Sequence, residues 1–287
     1  YVDPQMGYLP TPMVTAQVQK IVDGKTLYNV TYSFGSWGER ITPHENQSSD
    51  KHLTLFGGSL AFGEGVNDNE TILHHLIKKG PPVSPYNFAF RGHGPYSFLA
   101  RLEFTNLLVE MTPNRGTFLY LHAPFHFRRV YGYSNIIGVW AQNTPQYEIS
   151  DSGQLEYRGL FAQTQPLLTK FYSLFAQLGL VRRLGLYFPL FADDRARNLT
   201  CSVLGKINEL ILRHQPESRL LVVTLPREAG SQLPKCLQDG TFIHHDLRHT
   251  FPTHDLKRME IPGDGHYNPL GNQILGDTIR PLIREIQ

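Results

Sequence analysis

The sequence predicts an α/β protein built around a mainly parallel sheet. Short apolar runs of strand length alternate with segments whose apolar residues recur at helical spacing, which is the pattern of βαβ units. The length of 287 residues, with 40% hydrophobic and 18% charged residues, allows one large domain with a packed core. We therefore expect a sheet domain over residues 51–287, preceded by a smaller segment.

Residues 1–50 predict a β-rich arm and a linker. Residues 25–34 alternate in polarity and are rich in Thr, Val and Tyr, which predicts a strand or hairpin after the turn signal Asp23-Gly24. Residues 42–51 are polar and contain Pro43, which indicates a linker to the sheet domain.

The first predicted alternation of strands and helices lies between residues 51 and 122. The apolar run 51–56 predicts a strand, and a helix is predicted at 71–79. The run 86–90 predicts a second strand. A single helix is predicted over 97–111, where apolar side chains recur at helical spacing, and 116–122 predicts a third strand.

Residues 131–194 interrupt this rhythm, and we expect them to form a mixed insertion over the sheet. Residues 146–157 predict a hairpin with its turn near Gly153. Residues 167–178 predict an amphipathic helix with Leu and Phe side chains on one side.

The βα rhythm returns in the last hundred residues. A helix that Asp193 or Asp194 would cap is predicted up to residue 214. The strand 219–224 is the most apolar, and 241–245 predicts a shorter one. A final helix is predicted to begin at Asn268-Pro269, because proline is favoured in a first helical turn.

Charge and hydropathy exclude some classes of protein. The 27 basic and 25 acidic residues give a net charge of +2, which argues against a general nucleic-acid or anionic-membrane surface. The longest apolar runs, such as 220–225, are too short to cross a bilayer, so no membrane span is predicted. No signal peptide is visible after Tyr1, and we expect a mature form that has lost an upstream signal or anchor.

The chain has two cysteines, Cys201 and Cys236, which are too few for a disulfide scaffold or a cysteine zinc site. The alternatives are two free thiols or one disulfide. We favour the disulfide because Cys236 lies in a polar loop, and a disulfide is typical of an exported protein.

Ser59 is the first candidate for chemistry. It follows an apolar strand and two glycines and precedes a predicted helix, and ligands of open α/β sheets bind at the carboxyl ends of the strands. Backbone N–H groups at a helix start can stabilise an oxyanion, and the two glycines allow a tight turn that exposes the hydroxyl. The alternative is an ordinary turn with a capping serine.

Two further loops carry candidates. Asp264 and His266 are two residues apart, so both side chains could enter one cleft, with the histidine as base and the aspartate setting its tautomer. Gly92 follows a predicted strand and could present its N–H to an oxyanion. The alternatives are a polar turn with Asn268 as a cap, and a glycine-rich turn between strand and helix.

Together these patterns resemble the SGNH/GDSL hydrolase superfamily. The residues that carry the resemblance are Phe-Gly-Gly-Ser at 56–59 with Gly-Glu-Gly-Val at 63–66, Asn-Phe-Ala-Phe-Arg-Gly at 87–92, and Asp-Gly-His at 264–266. The resemblance implies a three-layer α/β/α fold. It also implies a triad of Ser59, His266 and Asp264, with the N–H groups of Ser59 and Gly92 in the oxyanion hole.

The sequence departs from the family pattern at three places. Gly58 replaces the aspartate of Gly-Asp-Ser, and Ala89 replaces a glycine of the second block. The third block, Gly-x-Asn-Asp, is missing, and the corresponding strand continues into a loop that contains His and Arg at 121–129. His126 either replaces the asparagine as an oxyanion donor or lines the site. The loss of one such donor costs roughly 3 kcal/mol in the transition state.

The 13 histidines raise the question of a metal site. The adjacent pairs at 74–75 and 244–245 point in different directions on a helix or strand. Pro124 lies between His122 and His126 and disfavours the helix that would place the two histidines on the same side. We therefore expect no metal and no cofactor.

The expected function is that of a serine esterase that removes O-acyl groups, above all O-acetyl groups, from a carbohydrate. This follows from the resemblance, because similar bacterial proteins act on acylated carbohydrates of the cell envelope. The expected location is accordingly the periplasm or envelope, and no nucleic-acid partner is expected. Two alternatives stay open: an O-acetyltransferase with the same triad, and a non-catalytic carbohydrate-binding member of the fold.

Overall fold

The structure is a computed structural model that describes residues 1–44, 49–80, 82–190, 192–227 and 230–286, except for the side chains of Arg182 and Ile286. The strands are β1 (Val2–Asp3), β2 (Gly7–Tyr8), β3 (Thr15–Val22), β4 (Lys25–Ser33), β5 (His52–Gly57), β6 (Ser84–Asn87), β7 (Gly116–His122), β8 (Pro145–Ile149), β9 (Leu155–Leu160), β10 (Arg219–Thr224) and β11 (Ile243–Asp246).

The helices alternate with these strands. They are α1 (Ser59–Phe62), α2 (Ile72–Lys78), α3 (Pro95–Phe104), α4 (Leu107–Glu110), α5 (His126–Tyr131), α6 (Ser134–Ile137), α7 (Phe161–Thr164), α8 (Pro166–Gln177), α9 (Gly179–Leu184), α10 (Asp193–His214), α11 (Thr253–Arg258) and α12 (Pro269–Ile286). Two short 3₁₀ turns lie at Asp68–Glu70 and Lys235–Leu237. None of the helices in the described ranges is long and apolar enough to span a bilayer.

The central sheet has five strands in the order β6-β5-β7-β10-β11, and every neighbouring pair is parallel. Numbered by their order in the chain, the strands run 2-1-3-4-5, which is the doubly wound, flavodoxin-like order. The middle strands are almost entirely buried, as strands covered on both faces must be.

The two faces of the sheet carry separate cores. Along β7, Leu119 and Leu121 belong to one core, while Phe118 and Tyr120 belong to the other, as the two-residue period of a strand requires. The first core includes residues of α2, α12 and β4, and the second includes residues of α3, α4 and α10. Helices therefore cover both faces, and the predicted three-layer α/β/α fold is confirmed.

The N-terminal segment packs onto the first core. Strands β3 and β4 form an antiparallel hairpin, and Tyr28, Val30 and Tyr32 of β4 are buried in that core. The division of the chain near residue 50 stays a prediction. Residues 45–48 of the predicted linker lie outside the described part of the chain.

Residues between α5 and α10 add the antiparallel pair β8–β9 and the helices α6 to α9. The pair packs on α3 and α10, and α8 packs on α6. The disulfide between Cys201 of α10 and Cys236, which we favoured over free thiols, is present.

Three predicted boundaries were wrong. The helix predicted over 97–111 is divided into α3 and α4, because Thr105 is extended and its hydroxyl accepts the Leu107 N–H at 3.2 Å. Ala192 is the N-cap of α10, so Asp193 and Asp194 lie in its first turn instead. Strand β6 ends at Asn87, and the predicted strand residues up to 90 belong to the following loop.

The order of the strands indicates where the sheet can bind a ligand. After β5 the chain forms β6 on one side of β5 and then β7 on its other side, so the strand order reverses between β5 and β7. Such a switch point opens a crevice at the carboxyl ends of the strands. Ser59 follows β5, Gly92 follows β6 and His126 follows β7, so all three lie at this edge.

Candidate active site

Ser59 begins the helical turn α1 directly after β5. Gly57 makes the sharp turn between them: its φ is +155°, and a Cβ there would lie 2.6 Å from the Ala61 Cβ and 3.0 Å from the Leu121 carbonyl oxygen. As the first residue of a helical turn, Ser59 has a backbone N–H with no partner inside the helix. The local backbone thus presents both a hydroxyl and an N–H at the crevice.

The predicted triad residues are in contact in the structure. The Ser59 Oγ lies 2.8 Å from the His266 Nε2, and the His266 Nδ1 lies 2.6 Å from the Asp264 Oδ2. The Asp264 carboxylate is fully buried, and the imidazole is about one-fifth exposed. Because a carboxylate only accepts, the Nδ1–H donates to Asp264, and the Nε2 is left to accept the serine proton.

The loop before α12 holds Asp264 and His266 in place by its own hydrogen bonds. The Ile261 N–H donates to the His266 carbonyl at 2.8 Å, and the Asp264 N–H donates to the Ile261 carbonyl at 3.0 Å. The Asn268 Oδ1 accepts the Gly271 N–H at 2.9 Å in the first turn of α12. The loop therefore contains both the predicted cap and the predicted catalytic pair.

Lys20 of β3 contacts Asp264, and sequence reasoning missed this contact. Its ammonium donates to the Asp264 Oδ1, so each carboxylate oxygen has its own cationic or N–H partner. Burial alone would raise the pKa of Asp264, but the hydrogen bonds from Lys20 and His266 lower that pKa below its usual value. A single lysine in a strand gives no sequence signal for this role.

Glu64 is a second buried carboxylate beside the imidazole. Its Oε2 lies 3.6 Å from the His266 Nε2, on the side of the ring that faces Ser59. Its Oε1 pairs with Arg91 at 3.0 Å and accepts the Tyr28 hydroxyl at 3.3 Å. At 3.6 Å the Glu64 carboxylate is beyond ordinary hydrogen-bond distance and does not compete with the serine hydroxyl for the Nε2.

Gly92 lies in the loop that flanks the Ser59 turn. The Phe90 N–H donates to the Gly57 carbonyl at 3.2 Å, which ties this loop to the end of β5. Gly92 has a φ of +75°, and a Cβ there would lie 2.3 Å from both the Trp140 ring and the Tyr8 hydroxyl. The position therefore requires glycine on both conformational and steric grounds.

His126 begins α5 and turns one ring nitrogen toward Gly58. Its Nδ1 accepts from the Ala123 N–H at 3.2 Å and lies 2.6 Å from the Tyr120 hydroxyl, so the ring proton is on Nε2. That Nε2 is 3.1 Å from the place where a Cβ at position 58 would be. Burial lowers the pKa of His126 well below its usual value, so the ring is neutral.

Arg129 lies beside His126 and also explains the glycine at position 58. Its Nη1 donates to the His93 carbonyl at 2.8 Å and is 2.8 Å from the place of a Cβ at position 58. Its guanidinium lies over the rings of Phe125 and Trp140. Within the described residues no carboxylate forms an ion pair with Arg129, so its positive charge acts on the crevice next to Ser59.

The described ranges contain no group of three His, Cys, Asp or Glu side chains that could hold a metal ion.

Two solved structures are similar to this chain at low sequence identity. No family model and no curated protein matches the chain. One solved structure is 12% identical and covers 83% of this chain and 99% of its own, with a TM-score of 0.43. Another solved structure, from Desulfitobacterium hafniense DCB-2, is described as lipolytic and of the G-D-S-L family. It is 9% identical, covers 81% of this chain and 99% of its own, and has a TM-score of 0.45. Similarities this weak decide neither family nor activity.

Proposed function

We propose that this protein is a serine hydrolase of carboxylic esters in which Ser59 is the nucleophile. The observation that carries the proposal is the continuous line of hydrogen bonds from the Ser59 Oγ through His266 to Asp264, at 2.8 and 2.6 Å. In this line His266 takes the serine proton as Ser59 attacks the ester carbonyl, and Asp264 holds the ring in the correct tautomer.

The tetrahedral intermediate needs donors for its oxyanion. The N–H groups of Ser59 and Gly92 and the Nε2–H of His126 are the proposed donors, because the turns that carry them meet beside the nucleophile. As the intermediate collapses, His266 returns its proton to the leaving alcohol oxygen. Water then attacks the acyl-enzyme, His266 takes the proton of that water, and Ser59 regains it as the acid is released.

Two charges outside the triad support the same reaction. The imidazole becomes an imidazolium during each attack, and the carboxylates of Asp264 and Glu64 on its two sides stabilise that charge. Arg129, whose Nη1 lies 2.8 Å from the Cβ position of Gly58 directly before Ser59, stabilises the negative charge that develops on the oxyanion. The charges of the site are therefore arranged for the transition state of acyl transfer.

We propose an O-acylated, above all O-acetylated, carbohydrate as the substrate. Trp140 is 43% exposed and packs against Gly92, so it offers a flat apolar surface at the edge of the crevice on which a sugar ring can lie. We also propose that the protein is exported to the periplasm or envelope. The Cys201–Cys236 disulfide supports this location, since disulfides persist in oxidising compartments.

A fluorophosphonate probe with peptide mapping tests the nucleophile. We expect the wild type to be labelled on Ser59, and we expect Ser59→Ala and His266→Ala to lose labelling while circular dichroism shows that both are folded. Ser152→Ala, in the exposed turn between β8 and β9, is the matched control and should label like the wild type. Labelling that survives Ser59→Ala would exclude the proposed nucleophile.

An acetylated oligosaccharide then tests the reaction. Release of free acetate that depends on Ser59 supports the hydrolase. Transfer of the acetyl group to a second oligosaccharide would make the protein an acetyltransferase. Sugar binding without labelling or turnover would make it a carbohydrate-binding member of the fold.

A further inference from the structure

Helix α8 exposes a row of large apolar side chains on its outer side. Leu167, Phe171, Leu174 and Leu178 recur at helical spacing, and between 50% and 80% of each side chain is exposed. The opposite side of the helix buries Thr169 and Tyr172, and α8 packs on α6 through this side. Tyr172 and Leu168 pack in a small core on the inner side of α8, so the exposed row is additional to the apolar side chains that face the protein.

The exposed apolar surface continues past the end of α8. Leu180 and Leu184 of α9 are 68% and 59% exposed, and α9 packs against α8. We use "apolar face" for the six residues Leu167, Phe171, Leu174, Leu178, Leu180 and Leu184. A contiguous set of large exposed apolar side chains marks an interaction surface, whereas single exposed ones are ordinary.

The charge of the same segment has a single sign. From Tyr157 to Ala192 the sequence contains no Asp and no Glu. Lys170 lies in the exposed stripe of α8, and Arg183 is exposed on α9. The overall charge of +2 gives no general attraction to anions, but the apolar face carries local positive charge without any acidic neighbour in its own segment.

We propose that the apolar face binds the surface of an anionic phospholipid bilayer. Short helices with exposed Leu and Phe and with basic side chains lie in the plane of the membrane interface, where the apolar side chains enter the acyl boundary and the basic ones meet lipid phosphates. Helix α8 has 12 residues, which suits a helix that lies on a bilayer and is too short to cross it.

A second copy of the chain fits this face less well. A twofold contact would place Lys170 and Arg183 of one copy against the same segment of the other, and this segment has no acidic residue to pair with them. An anionic bilayer supplies both the apolar phase and the negative charge. The inference depends only on this surface and does not rest on the proposed activity.

Vesicle flotation without substrate tests the proposal. We expect the protein to float with vesicles of phosphatidylethanolamine and phosphatidylglycerol, and to bind about tenfold more weakly to vesicles of phosphatidylcholine alone. The double variant Leu167→Gln, Leu174→Gln should bind the anionic vesicles about tenfold more weakly than the wild type. Both side chains are exposed, so the fold should be kept, and circular dichroism checks this.

The matched control changes exposed apolar residues elsewhere. Val109→Gln with Leu270→Gln alters two side chains outside the α8–α9 segment and should float like the wild type. Failure of the wild type to float, or equal flotation of the Leu167→Gln, Leu174→Gln variant, would overturn the proposal. Sedimentation that shows a dimer which this variant abolishes, without flotation, would assign the face to a second copy instead.

Discussion

Lys20 forms an ion pair with Asp264, although 244 positions separate the two residues in the sequence. The lysine belongs to β3 of the N-terminal hairpin, and the aspartate belongs to the loop before α12. The neighbouring strand contributes Tyr28, which lies opposite Lys20 and donates to Glu64. The hairpin therefore contacts both carboxylates that flank the imidazole of His266.

Replacing Lys20 with methionine should lower kcat by about tenfold and leave KM nearly unchanged. Without the ammonium group, the Asp264 carboxylate loses one of its two partners, its pKa rises, and it orients His266 less firmly. Kinetics on a chromogenic acetate ester measures the effect.

Two matched variants separate this positioning role from general damage to the hairpin. Lys20→Arg should recover most of the activity, because a guanidinium can donate to the same oxygen. Lys25→Met, an exposed lysine of the same hairpin, should behave like the wild type. Equal kcat for Lys20→Met and the wild type would show that the ion pair does not support the triad.

The sheet, and the contact of Ser59 with His266 and of His266 with Asp264, could be predicted because their signals are local. Ser59 follows an apolar strand and two glycines, and Asp264 and His266 lie two residues apart in one short loop, so each stretch can be identified without knowledge of its tertiary partner. Lys20 could not be predicted, since its role comes from a tertiary contact and a lone lysine in a strand looks like any exposed cation. Glu64 lies in a stretch that carries the family resemblance, and Arg129 lies in the loop where the sequence departs from it, but only the structure shows what the two side chains face.

Periodicity also has a limit that α8 illustrates. The spacing of Leu167, Phe171 and Leu174 correctly predicted a helix that carries these side chains on one side. It could not show that this side faces outward, because the pattern of an amphipathic helix is the same whether its apolar stripe meets a core or a lipid surface. The split of the predicted helix at Thr105 likewise depends on a hydroxyl hydrogen bond that propensity does not encode.

His126→Ala should lower kcat on an acetate ester by about a hundredfold, with little change in KM, because the variant lacks one of the three proposed oxyanion donors. The proton on Nε2 depends on the Tyr120 hydroxyl and the Ala123 N–H at Nδ1, so Tyr120→Phe should cause a smaller loss. His254→Ala, at an exposed histidine, is the control. A wild-type kcat in His126→Ala would show that His126 only lines the site.

Gly58→Ala should slow labelling of Ser59 by about tenfold and destabilise the fold by about 1 kcal/mol. The new methyl group would lie 3.0 Å from the His93 carbonyl oxygen and would displace the Arg129 and His126 nitrogens that meet there. Gly205→Ala in α10 is the matched control, since nothing lies within 4 Å of its Cβ position. Unchanged labelling in Gly58→Ala would mean that these nitrogens do not need their present positions.

Two buried histidines predict that the protein loses stability as the pH falls below 6.5. Burial lowers the pKa of His52 to about 4 and that of His122 to about 3, whereas both take the ordinary value of about 6.5 in the unfolded chain. The unfolded chain therefore binds protons between these values and the folded protein does not. The free energy of unfolding is therefore highest above pH 6.5, where both states are neutral at these histidines, and it falls progressively toward pH 4.

Each histidine should contribute a loss of about 2 kcal/mol in the free energy of unfolding between pH 6.5 and 5. Urea unfolding at pH 7 and at pH 5 measures the change, and His52→Gln should reduce it by one histidine's share. The variant also loses stability at pH 7, because His52 contacts Gln215 and Thr54, but only the difference between the two pH values tests the titration. His254→Gln, at an exposed position, should keep the wild-type difference. An identical difference in His52→Gln and the wild type would show that the buried ring does not control the acid sensitivity.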